Sequence, residues 1–275
     1  MKRNIFFFFG FALSLLLTAS AEQKNTNPQG MTISTRITPI SGFTREKCLE
    51  SSFAHYLQNL PLKQQGAKVH LFDNSVKSNQ DGAYAVVDME IGNTDLQQCA
   101  DAIIRLRAEW LWKQKRYSDI HFNFTTGAPI EYVKWAEGER FKVLGSKITW
   151  EKKANKDYSY ITFRKYLDKI FMYVGTSSLI KELVSVPYAN IQPGDVFIHA
   201  GNPGHAMIVV DVIVNQSTKQ KAFICAQSFS PAQEIEIVKN KNNSDNSPWY
   251  IVDTKAQKIV FPEWTFTPFE LKRFK

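Results

Sequence analysis

Three apolar, β-branched runs crowd the last third of the chain: Asp195 to His199, His205 to Val214 and Lys221 to Phe229. Gly201-Asn202-Pro203-Gly204 separates the first two and Asn215-Gln216-Ser217-Thr218 the second and third, both strong turn chemistry. Strands joined by turns this short pair antiparallel, so this region is committed to an antiparallel sheet. Ile235 to Val238 and Trp249 to Asp253 add further strand-like segments. Upstream, helix and strand patterns mix. Ser51-Ser52 opens a short helix, Phe53 to Leu57, that closes at Pro61, while Val69 to Phe72 and Ala83 to Ile91 read as strands around the turn residues Asp81-Gly82. Asp95 with Gln98 three residues later predicts a capping box for a helix running to about Lys113. Cys99, Ile103, Leu106 and Trp110 share one face of it, with Gln98, Asp101, Arg105 and Glu109 opposite. Pro129 to Ala136 reads as a short helix ended by Gly138, Phe163 to Val174 repeats at helical spacing, and Thr176-Ser177 restarts a helix through Leu183. Helices and strands first and a mostly antiparallel sheet last define an α+β fold.

The N-terminus predicts a signal peptide over 1–21. Lys2 and Arg3 precede an apolar stretch from Ile5 to Leu17, and Ala19-Ser20-Ala21 is a small-x-small processing site, with cleavage after Ala21. The stretch is shorter than the ~20 residues of a membrane span, so no stable membrane insertion is expected after cleavage. The expected location is periplasmic or extracellular. Residues 22–42, rich in Asn, Gln, Thr and Pro, read as a flexible leader ahead of a single domain over 43–275. A 44% hydrophobic and 13% aromatic composition argues for a packed core and against disorder. Formal net charge is +8, and losing Lys2 and Arg3 leaves +6. The lysines are scattered among Asn, Ser and Asp, as in Lys152–Lys156, which favours an anionic cell-envelope polymer as counterpart over nucleic acid.

Three cysteines, Cys48, Cys99 and Cys225, are an odd count, so one thiol at least stays unpaired in an oxidising compartment. Cys99 is the one near a helix start, where unsatisfied N–H groups and the helix dipole favour a thiolate. Its place beside Ile103 and Leu106 is equally that of a small core residue. A thiol nucleophile also needs a histidine to move the proton and a polar group to orient that histidine. Among His55, His70, His121, His199 and His205 there is no metal-ligand spacing, so no metal or cofactor is expected. His205 opens an apolar strand after a Gly. Asp211 lies six residues further on, about 20 Å at 3.3 Å per residue, too far to orient it. Gln227 on the next strand is the preferred third residue, provided the intervening loop sets the right parity; Ser230 and Gln233 are the alternatives. Asp88 and Glu90, alternating on one strand, read equally as a carboxylate pair or as one exposed strand face, and Trp110, Trp112, Trp249, Tyr250 and Trp264 as core, with sugar stacking the alternative for a Trp exposed near a groove.

Gln192-Pro193-Gly194-Asp195-Val196-Phe197 followed by Gly204-His205-Ala206-Met207-Ile208-Val209 resembles the NlpC-type cell-wall peptidases and CHAP amidases. That resemblance implies a papain-like core, with a cysteine at a helix start packed on an antiparallel sheet. It maps Cys99 to the nucleophile, His205 to the base and a peptide of the cell envelope, such as a peptidoglycan stem, to the substrate. The local run Gln97-Gln98-Cys99-Ala100-Asp101 departs from the Asp-Cys-Ser-Gly context of those enzymes. The long separation from Cys99 to His205 makes about 117–186 an insertion, with Glu151 to Asp157 as a hairpin loop or insertion tip. Leu96 to Ala102, Pro203-Gly204-His205-Ala206 and Ala226-Gln227-Ser228-Phe229 with Pro231-Ala232-Gln233 also resemble an uncharacterised family of secreted bacterial proteins. The alternative function is a non-catalytic secreted module binding a glycan or peptide on the same frame. The enzyme reading expects Cys99 sulfur within roughly 4 Å of the His205 ring and a thiolate populated near neutral pH. It also expects Cys99 to be unpaired, leaving Cys48 and Cys225 as the one pair available for a bridge.

Overall fold

The computed structural model describes residues 25–145, 147–245 and 247–275; the signal-peptide reading falls on residues 1–21 and lies outside them. In chain order the first elements are α1 (Ile33–Arg36), β1 (Phe43–Arg45), α2 (Phe53–Gln58), β2 (Ala83–Val86) and α3 (Cys99–Lys113). A middle group follows: β3 (His121–Asn123), β4 (Pro129–Glu131), α4 (Tyr132–Ala136), β5 (Glu139–Leu144), β6 (Lys147–Lys152), α5 (Tyr160–Phe171), α6 (Thr176–Leu179) and β7 (Leu183–Ser185). The last group is β8 (Val196–His199), β9 (His205–Asn215), β10 (Lys221–Gln227), β11 (Glu236–Val238), β12 (Tyr250–Ile251), β13 (Ile259–Val260), β14 (Thr265–Phe266) and β15 (Leu271–Phe274). The fold is mixed α+β, built on a mostly antiparallel sheet.

The central sheet runs β2-β11-β10-β9-β8-β15-β7, antiparallel throughout, with β1 pairing the far end of β9 and β12 pairing β10. Ten of the eleven residues of β9 are buried. A strand covered on both faces reads as a continuous apolar run rather than an alternation, which is the pattern of Ala206 to Val210. Ala206, Ile208 and Val210 pack with Ile103 and Leu106 of α3 in the larger core. Met207 and Val209 face a second core with Phe197, Phe223, Cys225 and Phe266. A β-bulge between Ile224 and Cys225 shifts the register of β10 on β9. Past it Asp211 lies opposite Ile224, on the α3 side, where it meets Arg45 and Gln58 Nε2 (2.7 Å). The bulge therefore removes Asp211 from the face of His205 altogether, a stronger separation than distance alone.

Four expectations need correction. The stretch 22–42 is not a flexible leader where it is described. Thr32 caps α1, and Ile33 and Ile37 are fully buried. Arg36 donates through Nε to Gly30 O at 2.6 Å and also bonds Lys63 O. Two isoleucines four apart form a docking stripe that the polar flanks obscure. Ala83 to Ile91 forms a strand only to Val86, and Val69 to Phe72 yields only isolated bridges, His70 to Val76 across the turn at Asn74 (φ 65°) and Leu71 to Gln233. Pro129 to Ala136 is β4 followed by α4, since β4 pairs with β3.

The segment 117–186, expected to be an insertion, packs closely on the body of the fold. Its residues Tyr132, Phe163, Tyr166 and Leu167 belong to the same core as α3, and β7 joins the central sheet through β15. The segment forms a layer laid over α3. This burial reaches the polar face of α3: Asp101, Arg105 and Glu109 are 6%, 2% and 3% exposed. Arg105 survives there because Gln97 Oε1 (2.8 Å) and the Glu90 carbonyl accept its N–H groups. Glu109 Oε1 accepts from Tyr160 Oη at 2.6 Å.

Candidate functional site

Cys99 is the first residue of α3. The cap differs from the expectation: Gln98 is the N-cap, and its backbone N–H donates to Asp101 Oδ2 at 3.0 Å. Asp95 instead accepts from the Ala232 backbone N–H (2.6 Å) and Gln98 Nε2 (3.2 Å), tying the helix approach to the loop after β10. Ser228 Oγ reinforces the tie through the Gln97 carbonyl at 3.0 Å and the Gln233 carbonyl at 2.8 Å. The sulfur of half-buried Cys99 is met by three backbone N–H groups: its own and that of Ala100 at the open end of α3, and that of Ala206 at the head of β9. These donors favour the thiolate. Burial outweighs them, with the Asp101 carboxylate adding to it, and the Cys99 thiol lies above its ordinary range. A thiolate populated near neutral pH is therefore not what this pocket favours.

His205 stands on the opposite face of the sheet, 2% exposed, and its Nε2 lies 2.8 Å from Gln227 Oε1. β10 brings Gln227 there with the parity that the sequence leaves open. Phe229, Trp264 and Phe266 rings surround the imidazole at centroid distances of 4.9, 5.2 and 6.1 Å. Burial pushes its pKa down to about 4, against the opposing effects of Gln227 and Glu263. The other two candidates for the third position sit elsewhere: Ser230 is exposed, and Gln233 is buried at the bridge to Leu71.

Cys99 thus reaches the backbone of the residue after His205. Among the described residues no hydrogen bond joins its thiol to the imidazole, and His205 Nδ1 has no hydrogen-bond partner. Catalytic hydrogen bonds in unliganded enzymes are commonly long and tighten with substrate.

Three residues around Gln227, buried Lys77 and Glu236 and half-buried Glu263, carry no sequence signal. Gln227 Nε2 donates to Glu236 Oε1 and Glu263 Oε2, both at 2.8 Å. Lys77 Nζ lies 2.7 and 2.6 Å from those same two oxygens. They come from 186 residues of chain, and no periodicity or motif links them.

All three cysteines are free, so the available Cys48–Cys225 bridge is not made. Cys225 is wholly buried and its thiol is pushed well up by burial. A cavity of about 500 Å³ opens beside the other end of α3, lined by Tyr56, Asp88, Glu90, Glu109 and Trp110; Cys99, His205 and Gln227 do not line it. Among the described residues, no cluster of three or more His, Cys, Asp or Glu is placed to hold a metal ion, and no helix is long and apolar enough to cross a membrane.

A family model described as "Domain of unknown function (4846)" matches residues 33–273. No curated protein and no solved structure gives a significant match.

Proposed function

Because the chain belongs to the family described as domain of unknown function (4846), which brings no chemistry with it, we propose a function from the site itself: a cysteine hydrolase, of amidase or peptidase type, acting on cell-envelope peptides such as peptidoglycan stems. The observation that carries the reading is the His205–Gln227 hydrogen bond together with a helix-start cysteine whose sulfur meets the backbone N–H of the residue after His205, Ala206. A helix-start cysteine against an antiparallel sheet, with a histidine at the head of one strand and its orienting amide on the next, is the layout of a papain-like core. In this mechanism Cys99 Sγ attacks the carbonyl carbon and His205 Nδ1 takes the thiol proton. Gln227 holds the ring through Nε2–H, and His205 returns the proton to the leaving amine. Water then hydrolyses the thioester. With the thiol raised and the imidazole lowered, both groups rest neutral, so proton transfer accompanies attack as it does for a serine nucleophile. The N–H groups of Cys99, Ala100 and Ala206 are the donors available to the developing negative charge. The signal-peptide reading of residues 1–21 supports action outside the cytosol.

A second reading is a secreted module that binds a glycan or peptide on the same frame without cleaving it. The missing thiol–imidazole hydrogen bond favours it. Alkylation by iodoacetamide separates the two. The hydrolase reading expects Cys99 to be labelled in the native protein, with His205→Ala slowing labelling at least about tenfold. Labelling that requires denaturant and ignores His205→Ala selects the binding module.

A further inference from the structure

We propose that Lys77, Glu236 and Glu263 are positioning residues that fix the rotation of the Gln227 amide and so hold neutral His205 as its Nε2–H tautomer, leaving Nδ1 as the basic nitrogen. The purpose of this arrangement rests on the hydrolase reading; the tautomer itself does not.

An amide side chain has a donor end and an acceptor end, and a neutral imidazole has one of each, so their pairing is ambiguous unless a third party decides it. Here the third party is a pair of carboxylates. Both hydrogens of Gln227 Nε2 are claimed, by Glu236 Oε1 and Glu263 Oε2. A flipped amide would set its oxygen against two carboxylate oxygens, losing two charge-assisted bonds. Oε1 must therefore face His205, and an oxygen accepts only, so the proton at that 2.8 Å contact belongs to His205 Nε2. Protonation of Glu236, which burial favours, does not reverse this. Its other oxygen, Oε2, is the one without a partner and takes the proton, while Oε1 stays an acceptor.

Lys77 keeps the carboxylates together. Its ammonium bridges the same two oxygens, Glu236 Oε1 and Glu263 Oε2, and lies 5.9 Å from the Phe229 ring centroid, the ring that also packs on His205. Asn79 Nδ2 holds the remaining oxygen of Glu263 at 3.0 Å. Lys77 and Glu236 are 6% and 0% exposed. Burying an ion cluster this deep is a poor way to stabilise a fold, because desolvation offsets the attraction. Fixing one rotamer and one tautomer is a use for which the cluster is well built. The cluster also recruits the turn between β13 and β14, which carries Glu263 and the neighbouring Trp264 over the imidazole.

The test is the ring ¹⁵N spectrum of His205 in the whole protein at pH 7. Wild type is expected to show a protonated Nε2 and an unprotonated Nδ1. In the Glu236→Gln/Glu263→Gln double variant, where an amide flip no longer meets carboxylates, both tautomers are expected in exchange. The single Glu263→Gln variant, changed at the less buried site, keeps one carboxylate; it is expected to fold and to show a smaller shift in the same direction. An Nδ1–H tautomer in wild type overturns the proposal, as does an unchanged tautomer in a folded double variant. A tautomer shift without any change in Cys99 alkylation leaves the positioning role standing and counts against the hydrolase reading alone.

Discussion

His205 titrates in an environment that lowers its pKa to about 4 by burial, so below the ordinary imidazole range the unfolded chain binds a proton that the native state refuses. Stability attributable to this residue is full near pH 7, falls as pH drops through about 6.5, and levels off below about 4. The gap between about 4 and the ordinary 6.5 corresponds to about 3 kcal/mol. Urea titrations of wild type and His205→Gln at pH 7 and pH 4 isolate it, because raised carboxylates such as Asp211 and Asp195 act in both proteins. Wild type is expected to lose about 3 kcal/mol more than the variant over that interval; equal losses contradict a buried neutral imidazole. Cys99, His205 and Gln227 are legible in the sequence because each carries a local mark: a helix start, a Gly-His strand head, a position on the neighbouring strand. Lys77, Glu236 and Glu263 carry none, since their meeting depends on three-dimensional closure of β11 and the β13–β14 turn onto β10.

At the level of elements, α3 shows how a correct pattern can mislead about exposure. Its extent, to Lys113, matches the periodicity, yet the face that carries Asp101, Arg105 and Glu109 is covered by the 132–171 layer. Periodicity reports which face meets the sheet; it says nothing about a second layer whose own residues lie tens of positions away. Arg105 is the element's buried hinge of charge, bonding Gln97, the Glu90 carbonyl and Glu109. Replacing it with Leu strands the Glu109 carboxylate and two acceptors, so a loss of about 3–5 kcal/mol is expected in urea unfolding. A loss under about 1 kcal/mol would show that α3 does not depend on this network. The β9–β10 bulge was equally hidden, because one extra residue leaves an apolar run unchanged while reversing the face of Asp211.

Across the whole molecule, the sheet with α3 on one face and the aromatic second core on the other holds the two halves of the proposed site in different layers. Cys99 comes from the helical layer and His205 from the opposite face, meeting at the first residues of β9. The α+β class and the antiparallel C-terminal sheet are evident from turn spacing alone; the packing of 25–42 and 117–186 onto the body is not, because both are polar or interrupted locally and apolar only in assembly. All three thiols are free in this architecture, so mass mapping of the purified protein is expected to find no intrachain disulfide. A Cys48–Cys225 bridge would require the second core around Phe223 to open. The central claim, that Cys99 is a nucleophile served by His205, is tested most directly by digesting purified peptidoglycan and measuring released stem peptides by mass spectrometry. Wild type is expected to release them, and Cys99→Ala and His205→Ala to fall by at least about 10³-fold. No release by wild type, or equal release by Cys99→Ala, would contradict the claim.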